Sequence, residues 1–133
     1  NFFALGASRY LVDLPGYGFA EAPKAVVARW QALLRAYLQG RASLRRAFVL
    51  VDARHGVKPV DAEILTLLDR AAVTFQVVLT KADKIGPAAR ARVLDQVRAA
   101  LQPHVAAHPE LVVTSSETGE GIAGLRAIVA HLA

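Results

Sequence analysis

The clearest chemistry in this 133-residue chain belongs to the tetrad Thr80-Lys81-Ala82-Asp83, which directly follows an apolar run over residues 77–79. The carboxylate of Asp83 could accept two hydrogen bonds at once from the N1 imino and N2 amino groups of guanine, a donor pair that adenine lacks. The methylene stem of Lys81 could lie along the plane of the base. A Thr/Asn-Lys-x-Asp tetrad after a strand is typical of domains that read guanine. The alternative interpretation makes Asp83 a helix cap or a turn residue.

A second loop, Asp13-Leu14-Pro15-Gly16, follows the apolar residues 10–12. A carboxylate that leaves a strand can hold a Mg²⁺ ion through water, and a glycine lets its N–H group approach a terminal phosphate. Asp13 could instead cap the turn that Pro15 and Gly16 form. The loop therefore indicates contact with phosphate and magnesium, or a capped turn.

A third loop, Thr114-Ser115-Ser116, follows the apolar residues 111–113. In a loop between a strand and a helix, a backbone N–H group could bind O6 of guanine. The two serines could also be plain capping residues of the last helix. Together the three loops, each directly after an apolar run, predict a site for GTP or GDP.

Apolar runs, helical spacing and turn residues predict an alternation of strands and helices. Strands are predicted over residues 2–5, 9–13, 47–51, 75–79 and 111–114, and helices over residues 23–39, 59–70, 87–101 and 121–132. Such an alternation is typical of βαβ units in a largely parallel sheet. Because ligands bind at the carboxyl ends of parallel strands, the three loops fall where a ligand is expected. Helical spacing also predicts that Trp30 packs in the core rather than against RNA, and turns Ile64, Leu67 and Leu68 inward.

Composition indicates one folded α/β domain, because 54% of the residues are hydrophobic. The chain has no cysteine, which excludes disulfides and thiolate metal sites and suits the cytoplasm. No apolar run approaches the roughly 18 residues that cross a bilayer, so no membrane partner is expected. The formal charge of +5 favours an anionic partner such as RNA, or reflects ordinary solvated helix faces.

Several longer strings resemble the bacterial EngB (YihA/YsxC) family of ribosome-biogenesis GTP-binding proteins. They are Asn1-Phe2-Phe3, Val12-Asp13-Leu14-Pro15-Gly16-Tyr17-Gly18, Trp30-Gln31, Asp52-Ala53-Arg54-His55, Leu79-Thr80-Lys81-Ala82-Asp83-Lys84 and Ser115-Ser116. The strings D-L-P-G-Y-G and D-x-R-H are more specific to this family than the general GTPase loops. The resemblance extends over essentially the whole chain.

The resemblance implies a P-loop GTPase-type three-layer sandwich of the α/β class, with a mostly parallel sheet of strand order 2-3-1-4-5-6. The sequence contains no G-x-x-x-x-G-K-S/T string, which would form the phosphate-binding P-loop. The expectation is that residues 1–133 are one partial G domain of the EngB type. In this interpretation the central first strand, the P-loop helix and a switch segment with a threonine precede Asn1.

The resemblance also assigns roles to residues of the three loops. Nucleotide contacts are expected at Asp13, Leu14, Pro15, Gly16, Thr80, Lys81, Ala82, Asp83, Thr114, Ser115 and Ser116. Asp13 is expected to act on Mg²⁺ through water, while the direct magnesium ligands lie in the missing segment. Many GTPases have a glutamine after D-x-x-G, but here Tyr17 follows, so slow intrinsic hydrolysis is expected. No catalytic residue is identified.

The implied role is a Mg²⁺-dependent GTPase switch that assists assembly of the large ribosomal subunit, and so supports cell division and septation. The expected partners are guanine nucleotide and the large subunit or its rRNA, and the expected form is a cytoplasmic monomer. An alternative is a basic module that binds RNA or the ribosome without nucleotide, through Arg90, Arg92 and Arg98.

Other polar residues have less specific interpretations. Asp52, Arg54 and His55 could form an ion-pair cluster that fixes the loop before Pro59, or a surface for a partner. The remaining histidines, His104, His108 and His131, lack metal-ligand spacing and are predicted to lie on the surface.

The expected absence of a central strand leads to a prediction about stability. Neighbouring strands would lose hydrogen-bond partners, and each unpaired buried group costs about 1–3 kcal/mol. A whole domain is stable by only roughly 5–15 kcal/mol. We therefore expect the isolated 133-residue chain to fold poorly, with weak affinity for guanine nucleotide. A sharp cooperative transition of the purified chain in thermal unfolding would contradict this expectation.

Overall fold

The computed structural model describes residues 2–4, 10–12, 23–40 and 46–132 of the chain. The chain divides into two compact units, one formed by residues 1–43 with Ala133 and the other by residues 44–132. In the part of the chain that the model describes, no helix has both the length and the hydropathy of a membrane span.

The first unit contains a pair of antiparallel strands and one long helix. Strand β1 (Phe2–Ala4) pairs antiparallel with β2 (Tyr10–Val12), with Phe2 opposite Val12. The two predicted strands are thus confirmed over the residues that the model describes. The segment that joins the two strands, residues 5–9, lies outside the described residues.

Helix α1 (Pro23–Gly40) agrees with the helix predicted over residues 23–39. A proline suits the first position of a helix because its φ angle is already helical and its missing N–H group would have no partner there. Trp30 and Leu34 are buried, with 3% and 8% of their surface exposed. They lie four residues apart and therefore on one face of the helix. The burial of Trp30 confirms its prediction as a core residue.

The second unit is built on a parallel sheet of strand order β3-β4-β5. Its strands are β3 (Ala47–Asp52), β4 (Phe75–Thr80) and β5 (Val112–Val113). Its helices are α2 (Pro59–Arg70), α3 (Pro87–Leu101) and α4 (Ile122–Ala130). The predicted alternation of strands and helices and the parallel sheet are confirmed.

The described strands fall into two separate sheets, β1-β2 and β3-β4-β5. In the expected order 2-3-1-4-5-6, strands 2 and 3 are neighbours, and strands 4, 5 and 6 are neighbours. The two described sheets contain two and three strands, the same numbers as these two groups.

Strand β4 forms the middle of the second sheet and is buried on both faces, which explains its apolar run over residues 77–79. Its one long polar side chain, Gln76, is fully buried and satisfied. The Gln76 amide oxygen accepts a hydrogen bond from Arg46 Nη1 at 2.8 Å, and its Nε2 donates to the Glu110 carbonyl at 3.0 Å. This side chain therefore links the start of β3 to the segment that leads into β5.

Helix α2 packs with Ile64, Leu65 and Leu68 fully buried. Leu67, predicted to point inward, is only half-buried. Successive residues of a helix are rotated by about 100° around its axis. Ile64, Leu65 and Leu68 therefore share one face, and Leu67 lies at the edge of that face.

His104 was predicted to lie on the surface, and this prediction is wrong. Its side chain is 11% exposed, and its Nδ1 hydrogen-bonds with the carboxylate of Asp69 at the end of α2. The ring also meets the Phe75 ring edge-on, with 6.1 Å between centroids. The other oxygen of Asp69 accepts a hydrogen bond from the Ala106 N–H at 2.9 Å. Histidine spacing along the chain could not predict this contact, because the partner comes from a distant helix.

The Asp69–His104 pair predicts a measurable contribution to stability. In the full-length product of the gene, we expect His104→Ala to lower the free energy of unfolding by about 1–3 kcal/mol, because Asp69 would keep its burial and lose a partner. Urea denaturation would measure the change. His108→Ala serves as control, since the hydrogen bond of His108 Nδ1 with the Glu110 N–H is exposed and joins residues only two positions apart. Equal losses in the two variants would contradict this interpretation.

Candidate functional site

The candidate site begins where β4 ends, at Thr80. The Thr80 carbonyl accepts a hydrogen bond from the Ala53 N–H at 2.8 Å, and its hydroxyl lies 3.4 Å from the Val51 carbonyl oxygen. The end of β4 is thus fixed against the end of β3. The segment after Thr80 therefore starts from a defined position at the carboxyl edge of the sheet.

Lys81 turns the chain sharply out of the strand. Its φ and ψ angles are 58° and 36°, in the left-handed region that non-glycine residues seldom adopt. A single 3-10 turn over Ala82–Lys84 follows at once, closed by a hydrogen bond from the Lys84 N–H to the Lys81 carbonyl at 3.0 Å. Ala82 is buried, and its N–H donates to the Thr114 carbonyl at 3.1 Å. The turn after β4 is therefore tied to the segment after β5.

The same two segments meet through side chains. Ser115 is fully buried, and its hydroxyl donates a hydrogen bond to Asp83 Oδ1 at 2.7 Å. This hydrogen bond is the main cause that lowers the pKa of Asp83, and Lys84 Nζ, 3.8 Å from Oδ2, acts in the same direction. Asp83 is therefore ionised at neutral pH. Since each carboxylate oxygen has two lone-pair sites, Asp83 can hold Ser115 and still accept two further hydrogen bonds.

The loop after β5 is closed by its own backbone. The Ser115 N–H donates to the Glu120 carbonyl at 3.0 Å, and the Gly119 N–H donates to the Ser115 carbonyl at 2.8 Å. The Thr118 N–H lies 3.2 Å from the Ser115 hydroxyl oxygen. Ser116 is exposed on this closed loop. These hydrogen bonds fix the backbone on both sides of Ser116.

Thr114 fixes the start of this loop to β4. Both its N–H and its hydroxyl donate to the Leu79 carbonyl, at 2.7 and 2.8 Å. The structure thus brings together two of the three predicted loops, Thr80 to Asp83 and Thr114 to Ser116. The remaining predicted loop, formed by Asp13, Leu14, Pro15 and Gly16, lies outside the described residues. Only the strand that leads into it, β2, is described.

A glycine defines the other end of the loop. Gly121 has a φ of 73°, and a Cβ atom on it would lie 1.9 Å from the Val113 carbonyl oxygen. The predicted helix over residues 121–132 begins one residue later, at Ile122, because Gly121 is its left-handed cap. Only glycine allows this close approach of the helix start to β5.

Sequence reasoning did not predict that Asp52 reaches the site. Asp52 ends β3 and forms a bidentate ion pair with Arg54, with 2.8 Å between Arg54 Nη2 and Asp52 Oδ2. Lys81 Nζ lies 3.6 Å from the same Oδ2. The Arg54 hydrogen bond is the largest cause that holds the pKa of Asp52 well below its usual range. The ion-pair interpretation of Asp52 and Arg54 is thus observed, and it extends to Lys81.

The loop that carries Arg54 is anchored to α3 by Gln96. The Val57 N–H donates to Gln96 Oε1 at 3.0 Å, and Gln96 Nε2 donates to the Val57 carbonyl at 2.9 Å. Gly56, with φ of 68°, lies so close that a Cβ atom would stand 2.5 Å from Gln96 Oε1. His55 is exposed on this loop. No sequence periodicity indicated this clamp, because its partners lie on different elements.

The arrangement supports recognition of a flat heterocycle with adjacent donor groups. Asp83 offers an ionised carboxylate on a side chain that is 16% exposed, and Lys81 offers a long stem held near Asp52. Ser116 lies exposed on the adjoining loop. Acceptors and donors of this kind, at the carboxyl edge of a parallel sheet, match the position at which α/β folds bind ligands.

No protein-family model matches the chain, but individual proteins do. It is 73% identical over 132 residues to a protein of Cereibacter sphaeroides, covering 99% of this chain and 61% of that protein. It is 67% identical over 132 residues to a protein of Ruegeria pomeroyi, with the same two coverages of 99% and 61%. It is 53% identical over 138 residues to a protein of Rhodospirillum rubrum, covering 100% of this chain and 60% of that protein.

All three relatives carry the name "Probable GTP-binding protein EngB". This stretch of sequence belongs to the EngB family. The EngB stretch spans about three fifths of the length of these relatives, 61% in the first two.

Solved structures of translation elongation factor SelB from Methanococcus maripaludis resemble this EngB chain. SelB in complex with the GTP analogue GPPNHP gives a TM-score of 0.72 at 25% identity, covering 99% of this chain and 27% of SelB. The apo form gives a TM-score of 0.67 at 27% identity, covering 91% of this chain and 24% of SelB. The similarity confirms the expected α/β class with a parallel sheet, as in part of a P-loop GTPase fold.

Two glycines of the EngB chain provide a matched test of the loop geometry. In the full-length product we expect Gly121→Ala to lower the free energy of unfolding by more than about 1 kcal/mol, because alanine is strained at positive φ and meets Val113. Gly124 lies in α4, and a Cβ atom added to it would have no neighbour within 4 Å. Gly124→Ala should therefore raise the free energy of unfolding by about 0.5–1 kcal/mol. Thermal or urea unfolding would measure both, and a neutral Gly121→Ala variant would contradict the geometry.

Proposed function

We propose that this EngB chain supplies the guanine-binding part of a GTP-binding protein. The Asp83 carboxylate binds N1 and N2 of guanine, the stem of Lys81 lies along the base, and a backbone N–H near Ser116 binds O6. The hydrogen bond from Ser115 to Asp83 at 2.7 Å carries the proposal, because it joins the two base-reading loops and keeps the carboxylate ionised. The name of the relatives, which describes GTP binding, supports the same assignment.

The proposal extends to hydrolysis of GTP by the full-length product. In that reaction an oriented water attacks the terminal phosphoryl group, and catalysis consists of positioning and of neutralising charge. Mg²⁺ would supply charge neutralisation at the phosphates, with Asp13 acting through water and Gly16 near the terminal phosphate. Asp13 and Gly16 lie outside the described residues, so these roles rest on the sequence. Tyr17 lacks the amide that many GTPases use to orient the water, so we propose slow intrinsic hydrolysis.

Sequencing the coding DNA upstream of Asn1 tests the phosphate-binding part of the proposal. About 60 codons upstream of Asn1 would hold one strand, loop and helix unit. An in-frame P-loop followed by a switch segment with a threonine would support a working GTPase. An unrelated reading frame there would leave the guanine-reading residues without a means of holding phosphate, and would overturn the proposal of hydrolysis.

The proposed biological role is assistance in assembly of the large ribosomal subunit, and through it support of cell division and septation. It places the protein in the cytoplasm as a monomer, with the large subunit or its rRNA as partner. The formal charge of +5 supports an anionic partner. The structural likeness to a translation elongation factor is in keeping with a role near the ribosome.

A basic module that binds RNA without nucleotide is the second candidate. The observation in its favour is the exposure of Arg92 and Arg98 on α3. Arg90, the third arginine of that hypothesis, has its guanidinium engaged by Glu120 at 2.7 and 3.0 Å. The nucleotide hypothesis explains more of the observed contacts, because the buried Ser115 and the turn at Lys81 have no role in a basic surface.

Replacing the carboxylate of Asp83 with an amide distinguishes guanine binding from nucleotide-independent RNA binding. In the full-length product we expect Asp83→Asn to weaken GDP binding by at least about tenfold, because a hydrogen bond to a charged group typically contributes about 1.5–3 kcal/mol. The same variant should gain affinity for XDP, since xanthine presents a carbonyl where guanine presents the amino group. Titration with fluorescent GDP and XDP would measure both constants.

The matched control is Asp95→Asn on α3, where the carboxylate is 84% exposed. It should leave both dissociation constants unchanged. Unchanged GDP affinity in Asp83→Asn would overturn guanine recognition by this residue. Binding of rRNA that falls steeply with salt, and is indifferent to GDP and to Asp83→Asn, would favour the nucleotide-independent module.

A further inference from the structure

Arg90 joins the two base-reading loops from the side of α3. Its Nη1 and Nη2 donate to the two carboxylate oxygens of Glu120 at 2.7 and 3.0 Å. Nη2 also lies 3.3 Å from the Ala82 carbonyl oxygen. Ala82 belongs to the turn that carries Asp83, and Glu120 belongs to the loop that carries Ser116. One guanidinium therefore contacts both loops at once.

The contact at Ala82 acts on the peptide group next to Asp83. The Ala82 N–H is held by the Thr114 carbonyl at 3.1 Å, and the Ala82 carbonyl is held by Arg90. That carbonyl and the Asp83 nitrogen form one planar peptide unit. Arg90 therefore restrains the orientation of the backbone from which the Asp83 carboxylate projects.

The contact at Glu120 acts on the residue that closes the second loop. The Glu120 carbonyl accepts the Ser115 N–H at 3.0 Å, and the Glu120 N–H lies 3.3 Å from the Thr118 hydroxyl oxygen. The ring of backbone bonds that contains Ser116 is thus anchored to α3 through the Glu120 side chain. Mutual hydrogen bonding raises the pKa of Arg90 and lowers the pKa of Glu120, so both groups are charged at neutral pH.

We propose that Arg90 is a positioning residue that sets the placement of Asp83 relative to Ser116, and thereby the selectivity of the site for guanine over bases that lack the N2 amino group. The proposal rests on the proposed function of guanine binding. The basic-module hypothesis makes Arg90 a contact for RNA. The observed N–H donors of Arg90 are instead directed at Glu120 and Ala82.

The solvent exposure of the Arg90–Glu120 ion pair indicates that its role is in positioning the loops and not in stabilising the fold. The side chains of Arg90 and Glu120 are 32% and 43% exposed. Ion pairs that are this accessible contribute little to the free energy of unfolding. Loss of Arg90 should therefore leave the fold and its melting temperature nearly unchanged, while each of the two loops loses one of its restraints.

Base selectivity provides the direct test. In the full-length product, the ratio of the dissociation constants for IDP and GDP would be measured for the wild type and for Arg90→Gln by titration. Inosine lacks the N2 amino group, so the ratio reports the second hydrogen bond of Asp83. We expect the ratio to fall by roughly tenfold in Arg90→Gln, the scale of one hydrogen bond to a charged group. The charge-reversed variant Arg90→Glu with Glu120→Arg should recover part of the ratio, since it restores the pair but not the Ala82 contact.

Arg92→Gln is the matched control, because Arg92 is exposed on the same helix. It should leave the ratio unchanged. Hydrogen exchange gives a second readout, in which the Ala82 and Gly119 amides exchange faster in Arg90→Gln than in Arg92→Gln. An unchanged ratio in Arg90→Gln, with GDP still bound, would overturn the positioning role and leave guanine binding intact. A wild-type protein that binds neither GDP nor IDP would overturn the proposed function, and the selectivity role with it.

Discussion

Hydrogen bonding between β4 and β5 continues past the last residues of both strands, and the candidate site depends on this continuation. Strand β5 is only two residues long, yet Thr114 reaches the Leu79 carbonyl with both its N–H and its hydroxyl. The next bond in the series runs back from the Ala82 N–H to the Thr114 carbonyl at 3.1 Å. The two loops thus leave the sheet already paired. Asp83 and Ser115 then need only a short side-chain reach to form their 2.7 Å hydrogen bond.

Charge at this edge of the sheet is balanced group by group. Asp52 faces Arg54 and Lys81, Asp83 has Lys84 beside it, and Glu120 faces Arg90. Local pairing lowers the pKa of each of these three carboxyl groups and so keeps them ionised. It also means that Lys81 and Asp83 are held by different partners, Asp52 and Ser115. The tetrad is therefore supported by neighbours from β3 as well as from the loop after β5.

The sequence predicted the bounds of an element correctly where a single residue determines the local backbone conformation. The bounds of α2 and α3 agree with prediction because Pro59 and Pro87 suit the first turn of a helix and the apolar spacing follows at once. Contacts between distant elements could not be predicted in this way. The bonds of Gln96 to Val57, His104 to Asp69 and Arg90 to Glu120 join residues whose types suit many roles. Within the site, sequence identified the loops and the residue types, whereas the ion pair of Lys81 with Asp52 required the register of β3 against β4.

The close approach of Gly121 to Val113 also limits where the length of the chain can change. The loop between Ser115 and Gly121 is fixed at one end by the bonds of Thr114 and Ser115, and at the other end Gly121 lies too close to Val113 to carry a side chain. An inserted residue near either end would displace the Ser115 hydroxyl from Asp83. The exposed residues 116–118 share this constraint, because Ser116 lies at the proposed O6 contact and the Thr118 N–H lies 3.2 Å from the Ser115 hydroxyl oxygen. An insertion between Ser115 and Gly121 would therefore displace a base-reading group, and natural variants of this loop should keep its length.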